Sequence, residues 1–270
     1  MIGQEDMETF MDEENASEAI QQFQKSLLVP TGNNPASLVK PPKDIVMNPV
    51  RGKLLDQNTV SFQYYNSFNY SLLQKNKKGV RLAIGITSAN PGEGKSLVAS
   101  NLAVSLTLGY KKRTVLVDLN INRPVLHEIF GTSAGPGLLE SLNNGDIHLW
   151  ETSIDHLHLL SCGGKFRSNN PHRNGRRAGN SKGRYLDLDQ MTSFSDVITS
   201  LQQEYEFVVV DMPSMANDDF PILFANRLDG MLMVVDSTIT KRKDIEKVFR
   251  KLNEQQVLGF ILNKISDQQD

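Results

Sequence analysis

The chain has 270 residues, is 39% hydrophobic and 22% charged, and carries a formal net charge of -2 with a single cysteine, Cys162. That composition supports one large or two small domains, and it excludes both an intrachain disulfide framework and a thiolate cluster for zinc. No apolar run reaches the roughly 20 residues of a membrane-spanning helix, and the acidic N-terminus lacks the basic-then-apolar order of a signal peptide. The chain therefore reads as soluble and intracellular, with no global charge to draw nucleic acid.

In chain order, residues 1–19 hold seven acids and no base. Polar clusters then alternate with proline ("VPTGNNPASLVKPPKD"), and the only helical period is a short one at Ala19 to Leu28. Residues 1–55 are accordingly read as a mobile or loosely docked arm, and 56–270 as the folded domain. From Arg81 the pattern changes. Apolar runs suited to buried parallel strands occur at "RLAIGIT", "RTVLVDL", "LHLLSC", "FVVVDM", "GMLMVVD" and "LGFILN". Segments of helical period lie between most of them, at Leu97 to Leu108, Phe194 to Tyr205 and Lys241 to Leu252. Alternation of strand and helix predicts an α/β fold, a mostly parallel sheet flanked by helices on both faces. Residues 163–187 break the rhythm as a loop insertion, with seven Lys or Arg and no acid between 165 and 184. That loop is read either as a solvated insertion or as a contact for anionic lipid or for the acidic residues 1–19.

The stretch "GITSANPGEGKSLVASNLA" runs from strand through a glycine-rich turn into helix. This is the context of a phosphate loop: glycines let backbone N–H groups converge on phosphate oxygens, and the helix N-terminus adds the positive end of its dipole. Lys95 is placed to reach terminal phosphates and the Ser96 hydroxyl to take a magnesium position. The usual pattern is G-x-x-x-x-G-K-[ST], and Ala89 stands in the place of its first glycine. Two further strands, "TVLVDLN" and "FVVVDMP", end in Asp118 and Asp211. Ligands of parallel sheets sit beyond the carboxyl ends of the strands, so both acids are expected to converge on the loop's cargo.

Together, "ITSANPGEGKS", "VLVDLNINRPVLHEIFG", "FVVVDMPS", "DGMLMVVD" and "LGFILNK" resemble the bacterial tyrosine kinase (BY-kinase) family of P-loop proteins over about Val60 to Ile265. The resemblance implies ATP and Mg2+ as cofactors. It also implies a role in capsule or exopolysaccharide production beside a membrane polysaccharide co-polymerase or chain-length regulator, and a cytoplasmic place at the inner face of the membrane. It places Asn90, Gly92, Glu93, Gly94, Lys95, Ser96 and Leu97 around the nucleotide, Asn263 at the base, and Ser96, Asp118 and Asp211 at the metal. The transfer site would hold Lys95, Asp118 and position 120. His127 falls in the pattern without a chemical role and reads as a packed or capping residue.

Three departures accompany the matches. The family's second acidic motif, D-x-D-x-R, is here Asp118, Asn120 and Asn122. The E-x-x-R-x-x-R helix that packs relatives into rings is here Gln63, Asn66 and Asn69, so ring formation through this segment is not expected, although self-association by other surfaces is left open. No tyrosine follows Tyr205, where relatives end in a tyrosine cluster. The reading is an ATP-binding member whose autokinase activity is weakened or lost, with weak ATPase activity as the other enzymatic outcome. The alternative is a partitioning or localisation ATPase of the ParA or MinD type. Those proteins carry a second lysine where this chain has Asn90, which counts against the alternative.

Overall fold

The computed structural model describes residues 65, 69, 72–73, 80–164, 188–215, 222–252 and 256–264. The arm 1–55, the helix read at Ala19 to Leu28, Gln63, Asn66 and the basic segment 165–184 lie outside the described residues.

The elements in chain order are β1 (Leu82–Ser88), α1 (Lys95–Tyr110), β2 (Thr114–Asp118), α2 (Leu126–Phe130), α3 (Leu138–Asn144), β3 (Trp150–Glu151) and β4 (Leu157–Leu160). They continue with α4 (Leu188–Glu204), β5 (Phe207–Asp211), α5 (Ile222–Ala225), β6 (Gly230–Asp236), α6 (Arg242–Phe249) and β7 (Val257–Asn263). The seven strands form one sheet in the order β3-β4-β2-β5-β1-β6-β7. Every pairing is parallel except that of β3 with β4. The mostly parallel sheet covered on both faces is the architecture expected from the sequence.

Two apolar layers explain why the strands read as continuous hydrophobic runs. Alternate residues of a strand face opposite sides, so a strand covered on both sides must be apolar at every position. Ile84, Ile86, Leu116, Val209 and Leu232 share one layer with Val98, Leu102 and Leu106 of α1. Ala83, Val115, Val117, Val208 and Val210 share the other with Phe194, Ile198 and Leu201 of α4 and Phe224 of α5. Phe194 and Phe224 meet edge to face, ring centroids 4.8 Å apart.

Helix α1 is buried at every position from Val98 to Leu108, so its polar residues need internal partners. The Ser100 and Thr107 hydroxyls donate to the carbonyls four residues back, Ser96 and Ala103, each at 2.8 Å. Ser105 instead accepts a 2.9 Å bond from Asn69 Nδ2. Asn69 and Leu72 are buried, and Tyr65, Leu72 and Leu73 belong to or pack on the α1 layer. Burial pushes the Tyr65 phenol up to about 12 against an opposing hydrogen bond with Asn101.

The elements differ from the sequence reading at several ends. Helix α4 begins at Leu188 rather than Phe194, and α6 stops at Phe249 rather than Leu252. The strand read through Cys162 stops at Leu160 because the next carbonyls leave the ladder: those of Ser161 and Cys162 accept the N–H groups of Leu138 and Leu139 at 2.7 and 3.0 Å, tying down the start of α3. Cys162 itself is buried and free of any disulfide.

Candidate functional site

The loop between β1 and α1 is built by its glycines. Gly92 and Gly94 adopt φ of 87° and 94°, in the left-handed region that only glycine enters without strain. Helix α1 starts directly after Gly94 with no side-chain cap, so the N–H groups of its first turn are left for a ligand. Lys95 is 8% exposed, and Ser96 and Leu97 are half-buried. A Cβ on Gly94 would overlap the Asn263 amide nitrogen, which is why the position is closed to other residues.

Beside this loop, β5 lies between β1 and β2, and its terminal Asp211 pairs in register with Ile86 on one side and Asp118 on the other. The chain leaving β5 is tied to β1, because Met212 N–H donates to the Ile86 carbonyl and Met215 N–H to that of Ser88, both at 2.9 Å. Asp118 and Asp211 are both fully buried. Asp118 accepts three backbone N–H bonds, from Asn120 at 3.1 Å, Val125 at 3.1 Å and Leu126 at 3.2 Å. Burial first and the neighbouring Asp211 second nevertheless push its pKa up to about 7. Both oxygens of Asp211 lack a hydrogen-bond partner among the described residues. Burial raises its pKa too, opposed by Lys95 and then by the Ser96 hydroxyl, which is within electrostatic reach without meeting hydrogen-bond geometry.

Two adjacent carboxylates buried in the sheet are unfavourable as anions. A divalent cation resolves this, and the donor set suits magnesium. Magnesium is held by one or two carboxylates together with waters and substrate phosphates rather than by a cage of protein ligands, and no cluster of three or more His, Cys, Asp or Glu side chains occurs among the described residues. Asp118, Asp211 and the Ser96 hydroxyl are the residues that would hold it.

The loop after β2 carries the substituted positions. Asn120 is 7% exposed, and its carbonyl accepts the Arg123 N–H at 3.0 Å. Asn122 and Arg123 are exposed. His127 sits half-buried on α2, its carbonyl accepting Thr132 N–H at 2.9 Å. Its buried ring Nδ1 has no hydrogen-bond partner among the described residues.

Asn90, Glu93 and Asn263 are all gathered at the loop, but on its outer wall. Glu93 is fully buried and accepts from Asn90 N–H at 3.0 Å, Asn90 Nδ2 at 3.2 Å and the Thr240 hydroxyl at 2.6 Å. Asn90 Nδ2 also reaches Asp244 at 3.3 Å. Asn263, expected at the base, donates its amide to the Glu93 carbonyl at 2.9 Å. Thr240, Asp244 and Lys264 were not singled out from sequence; short polar residues after strands carry no signal beyond ordinary turn chemistry.

With this geometry in view, the comparison with known proteins is informative. The family model of the CobQ/CobB/MinD/ParA nucleotide binding domain matches residues 84–270. The chain belongs to that family. Within it, the chain is 27% identical over 216 residues to the tyrosine-protein kinase CpsD of Streptococcus agalactiae serotype Ia, spanning 76% of this chain and 83% of that one. It is 30% identical over 186 residues to the succinoglycan biosynthesis transport protein ExoP of Rhizobium meliloti, spanning 67% of this chain but only 22% of that much longer relative. Among solved structures it resembles the chimerical protein CapA2B2, with TM-score 0.62 at 22% identity over 77% of this chain and 86% of that one. It also resembles the cell division ATPase MinD of Pyrococcus furiosus, with TM-score 0.51 at 21% identity over 69% and 74%. These likenesses establish the fold of the nucleotide-binding family. No helix among the described residues is long and apolar enough to cross a membrane.

Proposed function

We propose that this chain binds ATP with magnesium and acts as a BY-kinase-like regulator of capsule or exopolysaccharide assembly, with phosphoryl transfer to tyrosine weakened. The observation that carries the nucleotide reading is the pair of buried strand-end carboxylates, Asp118 and Asp211, set in register beside an uncapped helix N-terminus that bears Lys95 and Ser96. The relative named a tyrosine-protein kinase supports the kinase kinship and the one named a succinoglycan biosynthesis transport protein supports the polysaccharide role; a membrane co-polymerase as partner and a place at the inner face of the cytoplasmic membrane go with that reading.

In this reading the N–H groups of the loop and of the first turn of α1 bind phosphate oxygens. Lys95 adds a positive charge at the terminal phosphates. Magnesium, when bound, neutralises charge developing on the transferred phosphoryl group. Asp118 and Asp211 would hold that magnesium, their burial keeping bulk water from competing at the carboxylates. Position 120 is where transfer is expected to fail. A carboxylate there would supply a negative charge and a basic site near the attacking phenol, whose unperturbed pKa is about 10. Asn120 keeps the shape and one acceptor oxygen but neither of those.

The test is incubation with γ-labelled ATP, reading phosphotyrosine and released phosphate together for the wild type, Asn120→Asp and Lys95→Ala. Weak transfer by the wild type, raised by Asn120→Asp and absent in Lys95→Ala, is the expected result. Vigorous wild-type transfer that Asn120→Asp does not improve would mean an ordinary working kinase. Phosphate release without phosphotyrosine in any variant would favour a localisation ATPase.

A further inference from the structure

A phosphate loop works by aiming N–H groups inward at the ligand. Each peptide unit is planar and trans, so an N–H aimed inward sends the carbonyl of the preceding residue outward. The N–H groups of Glu93 and Gly94 belong to the same peptide units as the carbonyls of Gly92 and Glu93. Both of those carbonyls are held by side chains from beyond the loop. Lys264 Nζ donates to the Gly92 carbonyl at 3.1 Å and Asn263 Nδ2 to the Glu93 carbonyl at 2.9 Å.

Both donors come from the end of β7, more than 160 residues along the chain, and each is itself held. Lys264 pairs with Asp236 Oδ2 at 2.6 Å, and Asp236 is fully buried at the end of β6. The Glu93 side chain is fixed from the same side: Thr240 donates to its Oε1 at 2.6 Å while accepting the Asp236 N–H at 2.9 Å. The Glu93 carboxylate in turn receives the Asn90 N–H at the start of the turn. By peptide planarity, the contacts to the Gly92 and Glu93 carbonyls lie opposite the N–H groups of Glu93 and Gly94.

We propose that Asn263, Lys264 and Thr240 are positioning residues. By holding the Gly92 and Glu93 carbonyls and the Glu93 carboxylate outward, they preset the loop for a polyphosphate before any ligand arrives. The inference rests on the nucleotide reading above and adds to it that Asn263 serves the phosphates rather than the base. Preorganised donors lose no orientation entropy on binding, so the clamp acts on affinity for the phosphate chain whatever base is attached.

The experiment is calorimetric titration of the full chain with MgATP, MgGTP and magnesium tripolyphosphate, using wild type, Asn263→Ala, Thr240→Val and Thr240→Ser, with ligand-free melting temperatures alongside. One hydrogen bond lost from the clamp corresponds to about a five- to tenfold rise in Kd. Asn263→Ala and Thr240→Val should weaken all three ligands in parallel by about that factor, and Thr240→Ser, which keeps the hydroxyl, should stay within about twofold of wild type. Weakened ATP binding with unchanged tripolyphosphate binding in Asn263→Ala would assign Asn263 to the base and overturn the proposal, as would unchanged affinity throughout. Should Asn263→Ala fail to fold, the valine and serine variants of Thr240 decide alone. A wild type that binds none of the three ligands would refute the nucleotide reading itself, a result distinct from intact binding that is insensitive to these variants.

Discussion

Replacing Asp211 with asparagine should stabilise the ligand-free protein at pH 8 while abolishing its response to magnesium nucleotide. Asp211 and Asp118 are fully buried and adjacent in register, and neither Asp211 oxygen has a hydrogen-bond partner among the described residues. Burial raises both pKa values, that of Asp118 to about 7 with Asp211 as the second cause. Carboxylates in the unfolded chain titrate near 3.9. The native state therefore holds protons that the unfolded state gives up, and stability falls as pH rises between the unfolded and the folded values. A rise of about three units at roughly 1.4 kcal/mol each bounds the Asp118 contribution at about 4 kcal/mol. Removing one member of the pair recovers part of the burial and repulsion cost, on the order of 1–3 kcal/mol at pH 8. At pH 5, below the raised value of Asp118, that carboxyl is largely protonated and the repulsion it exerts on Asp211 is relieved, so the gain should shrink. Urea unfolding at pH 5 and pH 8, with and without MgATP, measures all of this. An Asp211→Asn protein less stable than wild type by the same amount at both pH values would refute the reasoning. It would mean that Asp211 acts in the apo fold chiefly as a partner of Lys95.

Lys95→Ala should weaken MgATP binding by at least about tenfold, since a charged hydrogen bond to a desolvated phosphate is worth roughly 1.5–3 kcal/mol; unchanged affinity in calorimetry would remove the phosphate-loop assignment. Asn69→Arg should lower stability by about 1–3 kcal/mol in thermal or urea unfolding, because position 69 is fully buried and bonded to Ser105 within the subunit; a variant of unchanged stability that forms rings in light scattering would overturn this. Asp236 is held down at about 2, chiefly by its hydrogen bond with Lys264 and then by Thr238. Its contribution is thus present above the unfolded value near 3.9 and lost as pH falls through about 2. Asp236→Asn should therefore flatten the stability profile between pH 5 and pH 2, and equal slopes for wild type and variant in acid unfolding would contradict it.

The legible parts of the fold are those with a long, one-sided physical signal. Strands covered on both faces have to be apolar at consecutive positions, and the structure places a strand in each of the six apolar runs, the last of them, β7, only half-buried at the sheet edge. Strand β3 is two residues at an antiparallel edge, and α2, α3 and α5 span five, seven and four residues. These are too short for a period of 3.6 to show. Helix α1 was found although its burial all round leaves it with almost no polar face, because the glycine-lysine-serine turn marks its start. In the site, Asp118 and Asp211 could be assigned because strand ends of a parallel sheet converge. The outer wall could not: Thr240 and Asn263 meet Glu93 across 147 and 170 residues of sequence, and nothing local distinguishes them from turn residues.

Under the proposed function, the sheet order sets the residues that would bind phosphate apart from those that would serve transfer. The phosphate loop leaves β1, and its outer wall comes from β6, β7 and α6 on one side of that strand. The second acidic motif follows β2, on the other side, with β5 and Asp211 between them. Asn120 and Asn122, the amides that stand where the kinase pattern has a carboxylate and a guanidinium, belong entirely to the β2 side. The hydrogen bonds to the Gly92 and Glu93 carbonyls and to the Glu93 carboxylate come from Lys264, Asn263, Thr240 and Asn90, not from Asn120 or Asn122. On that proposal, a chain altered on the β2 side alone would keep the half of the site that binds phosphate and lose charge in the half that serves transfer. Restoring the carboxylate at position 120 therefore tests transfer without disturbing the loop, whereas changes at Asn263 or Thr240 test the loop without touching the acidic motif.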